Sequence, residues 1–399
     1  MTQITFWGVT ASPYQLKMQA LADAAGIAWQ RAPEQLSTAR ALGMAWRLRR
    51  AVRRQSIERL PRREAALDEY PSVPFYTLDG QTFYYDSSGL AYHLEQLGSG
   101  APGLLPLEPG LRFACRLVDE AFDEFGLYMV HHNRWAVSAA TNTMGEFTSR
   151  EMRKLFPFGL HRRVARTLPR RQVRRCPYLF SVAPPGFDAG VSRELTPPAL
   201  PGFPPTHDLL NKAWRLYLAA METVLAQQPY LLGERFTLAD ASAYGQLAMN
   251  LVDGRAAQLL EQLAPRTFQW LCMIREGRHR ASAGELFLDD RLRPLLDVIA
   301  ETFMPLMRQN TAAYQAAVAR GQTLFNEAAF DRGEALYDGT LMDQPFRAVA
   351  RSFQVPVWRD LCQSWAALEE SRKKALGELC PRLTDAAFAV AFDIDPGTT

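Results

Sequence analysis

The sequence predicts an α/β domain over residues 1–100 followed by a larger all-α domain, on three observations. The chain opens with mixed β-branched and aromatic residues, Ile4-Thr5-Phe6-Trp7, which read as a strand. That strand leads through Ser12-Pro13-Tyr14 into a segment of helical spacing. Beyond residue 100, helical periodicity dominates and no convincing alternating strand is found.

Strand character stops at Thr10-Ala11-Ser12-Pro13. From Tyr14, Leu16, Ala20, Leu21 and Ala24 recur at helical spacing, and Gly26 is placed to cap the helix. Ile27-Ala28-Trp29 can start a second strand, which completes a β-α-β opening. Residues 32–69 read as a basic helical insertion with one narrow apolar stripe, Ala41, Ala45, Leu48 and Val52. Strand character resumes over Pro71 to Leu78, Asp79-Gly80 makes a hairpin turn, and Gln81 to Tyr85 return. Asp86-Ser87-Ser88 then caps a helix through Leu90, Leu94 and Leu97.

Residues 101–290 are expected to form the all-α domain. Arg112 to Trp135 reads as one long helix, and the eight prolines between Pro177 and Pro205 require an irregular excursion over 177–205. Helical patterns follow from His207 to Gln227 and from Ala256 to Arg275. Between them, Thr237-Leu238-Ala239-Asp240 is a capping box. Residues 291–399 read as a helical C-terminal extension with a turn at Asp338-Gly339 and core positions Trp358, Leu361 and Trp365. Two roles are open to it: covering a pocket or adding to a subunit interface.

Composition is that of a globular chain, 48% hydrophobic and 22% charged. No apolar run reaches the roughly 18 residues a spanning helix needs, and no signal-peptide pattern opens the chain, so a cytoplasmic location is the default expectation. The five cysteines, Cys115, Cys176, Cys272, Cys362 and Cys380, include no C-x-x-C pair and read as reduced thiols. Cys176-Pro177-Tyr178 imitates a redox turn, but no apolar strand leads into it.

The net charge of +3 hides two basic segments on an acidic body. Nine arginines stand against Glu58 between Arg40 and Arg63, and ten Arg and Lys against Glu151 between Arg150 and Arg175. The simpler reading is a pair of solvated faces that neutralise the acidic remainder or a second subunit. The sharper one is an anion-attracting surface for a charged substrate or an anionic membrane. No aromatic residues alternate with the arginines as a base-stacking platform requires, so nucleic acid is not expected.

Three motifs carry chemistry. Ser12 places a hydroxyl beside free amides at a helix start, where an anion is favoured and an incoming thiol becomes more acidic. It would donate to the thiolate rather than attack, since no base is evident; Thr10 is a rival hydroxyl and Tyr14 a weaker one. Val73-Pro74 precedes a strand, and a cis bond there would turn the Val73 amide and carbonyl toward a peptide-like ligand. Asp86-Ser87 offers a carboxylate for an ammonium, and a hydroxyl with helix amides for a carboxylate. Each alone has an ordinary alternative: a trans proline at a strand entry, or simple capping. On the long helix Tyr128, His132 and Trp135 fall at i, i+4 and i+7, one face that could overlook Ser12. His131 and His132 could each act as acid or base near neutral pH; being adjacent they point apart, and no metal is expected.

In this order the motifs, with Phe236-Thr237-Leu238-Ala239-Asp240, resemble the glutathione transferase superfamily over roughly residues 1 to 275. The resemblance implies a thioredoxin-like N-terminal domain that binds glutathione and an all-helical domain that supplies the pocket for a small apolar or aromatic electrophile, in a homodimer. It implies that Ser12 stabilises the thiolate, that Val73 with Pro74 pairs with the cysteinyl backbone, and that Asp86 and Ser87 hold the γ-glutamyl end. Tyr14, Tyr128, His132 and Trp135 become candidates for the second-substrate pocket. Asp86 is one methylene shorter than the usual Glu, and the basic insertion replaces the region that grips the glycine end. The expected function is a glutathione-dependent conjugation, elimination or isomerisation, because the site lacks the cysteine that forms a mixed disulfide. The alternative is a non-catalytic binding or membrane-adaptor protein of the same fold, working through its basic insertion.

Overall fold

The computed structural model describes residues 3–59, 73–97, 103–156 and 158–389. Residues 60–69 of the expected insertion, Pro71 and the first domain's expected end near Gly100 lie outside these. The first domain runs β1 (Ile4–Trp7), α1 (Pro13–Ala24), β2 (Trp29–Ala32), α2 (Thr38–Arg53), β3 (Glu58–Arg59), β4 (Phe75–Thr77), β5 (Tyr84–Tyr85) and α3 (Ser87–Gln96). Its sheet has the order β2-β1-β4-β5-β3, with β1 parallel to β2 and antiparallel to β4. All four residues of β1 are buried, as in a central strand covered on both faces.

Alternation along β1 sends Ile4 and Phe6 to one face, where they pack with Met18, Leu21, Tyr76, Leu90 and Leu94. Trp7 goes to the other, where Ala32, Leu36, Ala41, Met44, Leu48, Phe75 and Phe83 close a second core. The basic segment therefore supplies a sheet-covering helix, α2, and an edge strand, β3, which pairs parallel to β5 with Arg59 opposite Tyr85.

The remainder begins with a continuous helix: α4 (Pro109–Ala121), a π turn (Phe122–Gly126), α5 (Leu127–His132) and a second π turn (Asn133–Val137). There follow α6 (Met144–Glu151), α7 (Arg162–Arg174), α8 (His207–Leu225), α9 (Leu238–Leu247), α10 (Gly254–Leu263), α11 (Pro265–Arg275), α12 (Arg293–Glu301), α13 (Phe303–Ala319) and α14 (Glu327–Asp331). The hairpin β6 (Leu336–Leu341) and β7 (Gln344–Val349) precedes α15 (Gln354–Ala366), α16 (Glu370–Leu379) and α17 (Asp385–Phe388). The proline-rich stretch between α7 and α8 is irregular apart from a 3-10 turn at Arg193–Leu195. Among the described residues, no helix is long and apolar enough to cross a membrane.

The extension is not purely helical. Asp338-Gly339, expected as a turn, lies inside β6, with Asp338 opposite Arg347. The chain reverses at Met342-Asp343, both at positive φ, 52° and 63°. Two-residue hairpin turns of this hand usually announce themselves with Asn or Gly, and Met342 carries no such signal.

The domains meet where α1 crosses α9 at Gly245. A Cβ there would lie 2.7 Å from the Pro13 carbonyl oxygen and 2.8 Å from Lys17 Cβ, so only glycine allows the approach. Lys17 Nζ is buried between Asp119 and Asp123, 2.6 Å from each. Burial works against its ammonium form, but the two carboxylates outweigh it and raise the pKa. The capping box forms as expected: Asp240 accepts the Thr237 amide at 2.9 Å and also the Leu231 amide at 2.8 Å.

Candidate functional site

A cavity of about 690 Å³ lies between the sheet domain, the long helix, α7 and the start of the extension. At its sheet-domain wall, Ser12 precedes α1 in extended conformation (φ −97°, ψ 124°), with Pro13 at the first helical position. The Ser12 carbonyl takes the Gln15 amide at 3.1 Å, while its hydroxyl makes no cap bond. That hydroxyl is left at the positive end of a helix, facing the cavity. Val73 and Pro74 line the same space, and the peptide between them is cis.

Asp86 caps α3 from φ 85°, a left-handed conformation that Asp tolerates better than most residues. Its Oδ1 accepts the Ser88 and Gly89 amides (3.0 and 3.1 Å), and its Oδ2 accepts from Arg59 Nε at 2.8 Å. The Asp86 carboxylate is thus engaged by its own helix and by β3. Asp123, on the first π turn, is differently placed. Its Oδ2 receives Lys17, whereas its Oδ1 is buried at the cavity wall without a hydrogen-bond partner among the described residues. Burial pushes this carboxyl up to about 7 against the opposing pull of Lys17.

Of the other hydroxyls, Thr10 is taken up elsewhere: its amide and hydroxyl donate to Glu151, at 3.1 and 2.6 Å. Tyr14 lines the cavity, but its hydroxyl donates to the Asp123 carbonyl at 2.9 Å. Burial and the nearby Asp123 and Glu124 hold the phenol well above its usual pKa.

The long helix presents a different face from the expected one. Asp123, Leu127, His131, Arg134 and Trp135 line the cavity; Tyr128 and His132 do not. Each of the latter follows a lining residue by one position, about 100° round the helix. Tyr128 stacks on Phe180 at 5.4 Å, and its hydroxyl accepts from Gln354. His132 is buried in the helical domain, 2.9 Å from Ser181 Oγ and 3.2 Å from Asn211 Oδ1. Burial lowers both His131 and His132 to about 3, so neither is a base poised near neutral pH. Among the described residues, no three His, Cys, Asp or Glu side chains converge as a metal site. Cys176 is buried beside His131, and burial pushes its thiol up, away from thiolate chemistry.

Sequence reasoning missed Asp123, Glu124 and Arg134, all on π turns, and Arg59, Arg351 and Phe353. A signal existed for the first two: Asp119-Glu120 and Asp123-Glu124 put four acids in a helix otherwise apolar enough to be core. Arg134 donates to Asp253 (2.8 Å), Ala11 O (3.1 Å) and Met249 O (3.2 Å), which ties the loop before Ser12 to the helical domain. Phe353 and Val357 bring the extension to the cavity, and the Arg59 guanidinium lies 5.1 Å from the Phe353 ring centroid. Arg351, Phe353 and Val357 of the extension thus form part of the cavity wall.

A thioredoxin-like sheet domain set against a helical domain, with a helix-start hydroxyl and a cis-proline turn in the cavity between them, defines a glutathione-transferase-like class. Residues 204–283, which span α8 to α11, match the family model of the Glutathione S-transferase, C-terminal domain. No curated protein matches this chain.

Solved structures similar to it in part include the beta-etherase LigF from Sphingobium sp. strain SYK-6, at 16% identity over 70% of this chain and 100% of that one, TM-score 0.40. Another is the glutathione S-transferase CsGST63524 of Ceriporiopsis subvermispora in complex with glutathione, at 14% identity over 69% and 97%, TM-score 0.41. A glutathione transferase family member from Pseudomonas fluorescens with two glutathione bound shares 13% identity over 69% and 92%, TM-score 0.31.

Proposed function

We propose that this chain is a glutathione-dependent transferase acting on a small apolar or aromatic electrophile. One observation carries the reading: the Ser12 hydroxyl, without a cap bond, shares a cavity of about 690 Å³ with Val73-Pro74, Ser87 and Asp123. The Ser12 hydroxyl donates to the glutathione sulfur and, with the start of α1, favours its thiolate. The Val73 backbone pairs with the cysteinyl unit. Ser87 receives the γ-glutamyl carboxylate, and the Asp123 carboxylate its ammonium. The electrophile lies against Leu127, Trp135, Leu168 and Phe353, all on the cavity wall. Conjugation, elimination and isomerisation all begin from this thiolate.

Calorimetric titration with glutathione and turnover of a chlorodinitrobenzene probe test the reading together. Ser12→Ala removes one hydrogen bond to a charged sulfur, so turnover should fall roughly 10- to 100-fold with glutathione still bound. Unchanged turnover in Ser12→Ala would remove Ser12 from the chemistry, and no heat of glutathione binding would remove the transferase reading.

A further inference from the structure

We propose that the tip bearing Phe156, Phe158 and Leu160, with the arginines around it, docks on an anionic lipid membrane. Among the described residues only three aromatic side chains are exposed, Trp46, Phe156 and Phe158, and all three lie in the two basic segments. Phe158 is 100% exposed, and Phe156 and Leu160 beside it are 39% and 46% exposed. Phe158 also holds a positive φ of 55°, uncommon for a bulky residue, and buries no surface in return. Large apolar side chains gathered at a tip in this way mark a surface that something else covers.

The charge around the tip says what covers it. Arg153, Arg162, Arg163 and Arg166 flank it, all exposed, and among the described residues their guanidiniums make no hydrogen bond or ion pair. The one acid of this segment, Glu151, is buried and accepts from the Thr10 amide and hydroxyl. The adjoining α2 repeats the pattern, since Leu42 and Trp46 share an exposed helix face with Arg49 and Arg53. The two segments touch: Lys154 Nζ donates to the Glu34 carbonyl at 2.6 Å, and Leu155 packs against the core that α2 closes. An apolar tip ringed by free cations complements a leaflet with negative headgroups over hydrocarbon. The aromatics are gathered at a tip and on one helix face, not spaced along a groove, which separates this surface from a base-stacking one. Phe156 lines the cavity as well, so docking brings the cavity wall to the lipid boundary, where apolar electrophiles concentrate. That consequence rests on the transferase reading; the docking does not.

The test is co-sedimentation of the full chain with vesicles of phosphatidylcholine alone and of phosphatidylcholine mixed with phosphatidylserine. The mixed vesicles should bind it at least about tenfold more tightly, and added salt should weaken that binding. Phe158→Ser should weaken it roughly tenfold, the effect of withdrawing one large apolar side chain, while Phe158→Trp holds it within about twofold. Arg162→Glu with Arg163→Glu should weaken it by roughly tenfold or more. These positions are exposed, so urea melts of the variants should coincide with that of the wild type. No binding to either vesicle, equal binding to both, or loss in the arginine variant with none in Phe158→Ser would overturn the proposal. So would a dimer in gel filtration that Phe158→Ser turns into a monomer, which would give the tip to a second copy of the chain. Glutathione is titrated separately. Vesicle binding without glutathione binding keeps the docking surface and loses the transferase reading, and glutathione binding without vesicle binding does the reverse.

Discussion

The two basic segments are near twins in composition, and the fold uses them in opposite ways. In α2 the stripe Ala41, Met44 and Leu48 is buried on a sheet face that has to be covered, and most of the arginines turn outward. Among the described residues of that segment, only Arg59, carried by β3 into register with Tyr85, reaches the cavity. In α7 the single buried residue is Val173; Val164, Leu168 and Arg171 face the cavity instead. Packing against α6 holds α7 there. A Cβ on Gly145 would come within 2.5 Å of the Ala165 carbonyl oxygen, so the two helices can touch only through a glycine. An apolar stripe beside a run of arginines thus has no fixed meaning. What lies beneath the stripe, a sheet or an open pocket, decides whether the arginines are solvated charge or part of a binding site.

The largest effect expected from this contrast is on stability. Leu48→Ala should cost about 2–4 kcal/mol in urea unfolding and leave the glutathione dissociation constant unchanged. Its counterpart Leu168→Ala, at a half-buried position, should cost under about 1 kcal/mol and raise KM for an apolar electrophile. A large loss of stability in Leu168→Ala would break the contrast. Next comes Arg59→Gln, which frees the Asp86 carboxylate beside the proposed γ-glutamyl site and should weaken glutathione binding by roughly tenfold in calorimetry. No change would return the whole first segment to a structural role.

Asp123 supplies a pH dependence of intermediate size. Holding an ammonium requires its carboxylate, so glutathione affinity should rise as pH climbs through about 7. Stability has the opposite sign. The carboxyl is raised above its ordinary 3.8, so its contribution is full below that value and is lost as pH rises through about 7. Titration calorimetry and urea melts between pH 5 and 8 on wild type and Asp123→Asn should show both trends flatten in the variant. The smallest effect belongs to the outer face of α2: Arg50→Glu with Arg53→Glu should move stability by no more than about 0.5 kcal/mol and leave turnover unaltered.

Much of the local structure was legible because its signals are local. Ser12-Pro13 announces a helix start, Asp86-Ser87-Ser88 a cap, and Thr237 with Asp240 a capping box, each through atoms a few residues apart. Ser12, Val73-Pro74, Asp86 and Ser87 line one cavity. The face of the long helix was not legible. Counting by 3.6 residues pointed to Tyr128 and His132, while the helix runs through two π turns and presents Asp123, Leu127, His131 and Arg134. The extension's hairpin was hidden for a related reason, because the left-handed Met342 is held by strand pairing and not by its own preference.

By itself, then, the sequence determined where helices start, which residues cap them, and the order of a strand, a helix-start serine, a Val-Pro turn and an Asp-Ser cap. These depend on propensity and on hydrogen bonds within a turn or two. Only the tertiary structure decided that Asp86 is engaged by Arg59 while Asp123 Oδ1 is left without a partner among the described residues, that α2 covers a sheet while α7 lines a pocket, and that Phe353 joins the cavity wall. Each of these depends on contacts between groups far apart along the chain, and no local pattern encodes which surface a given stripe will meet.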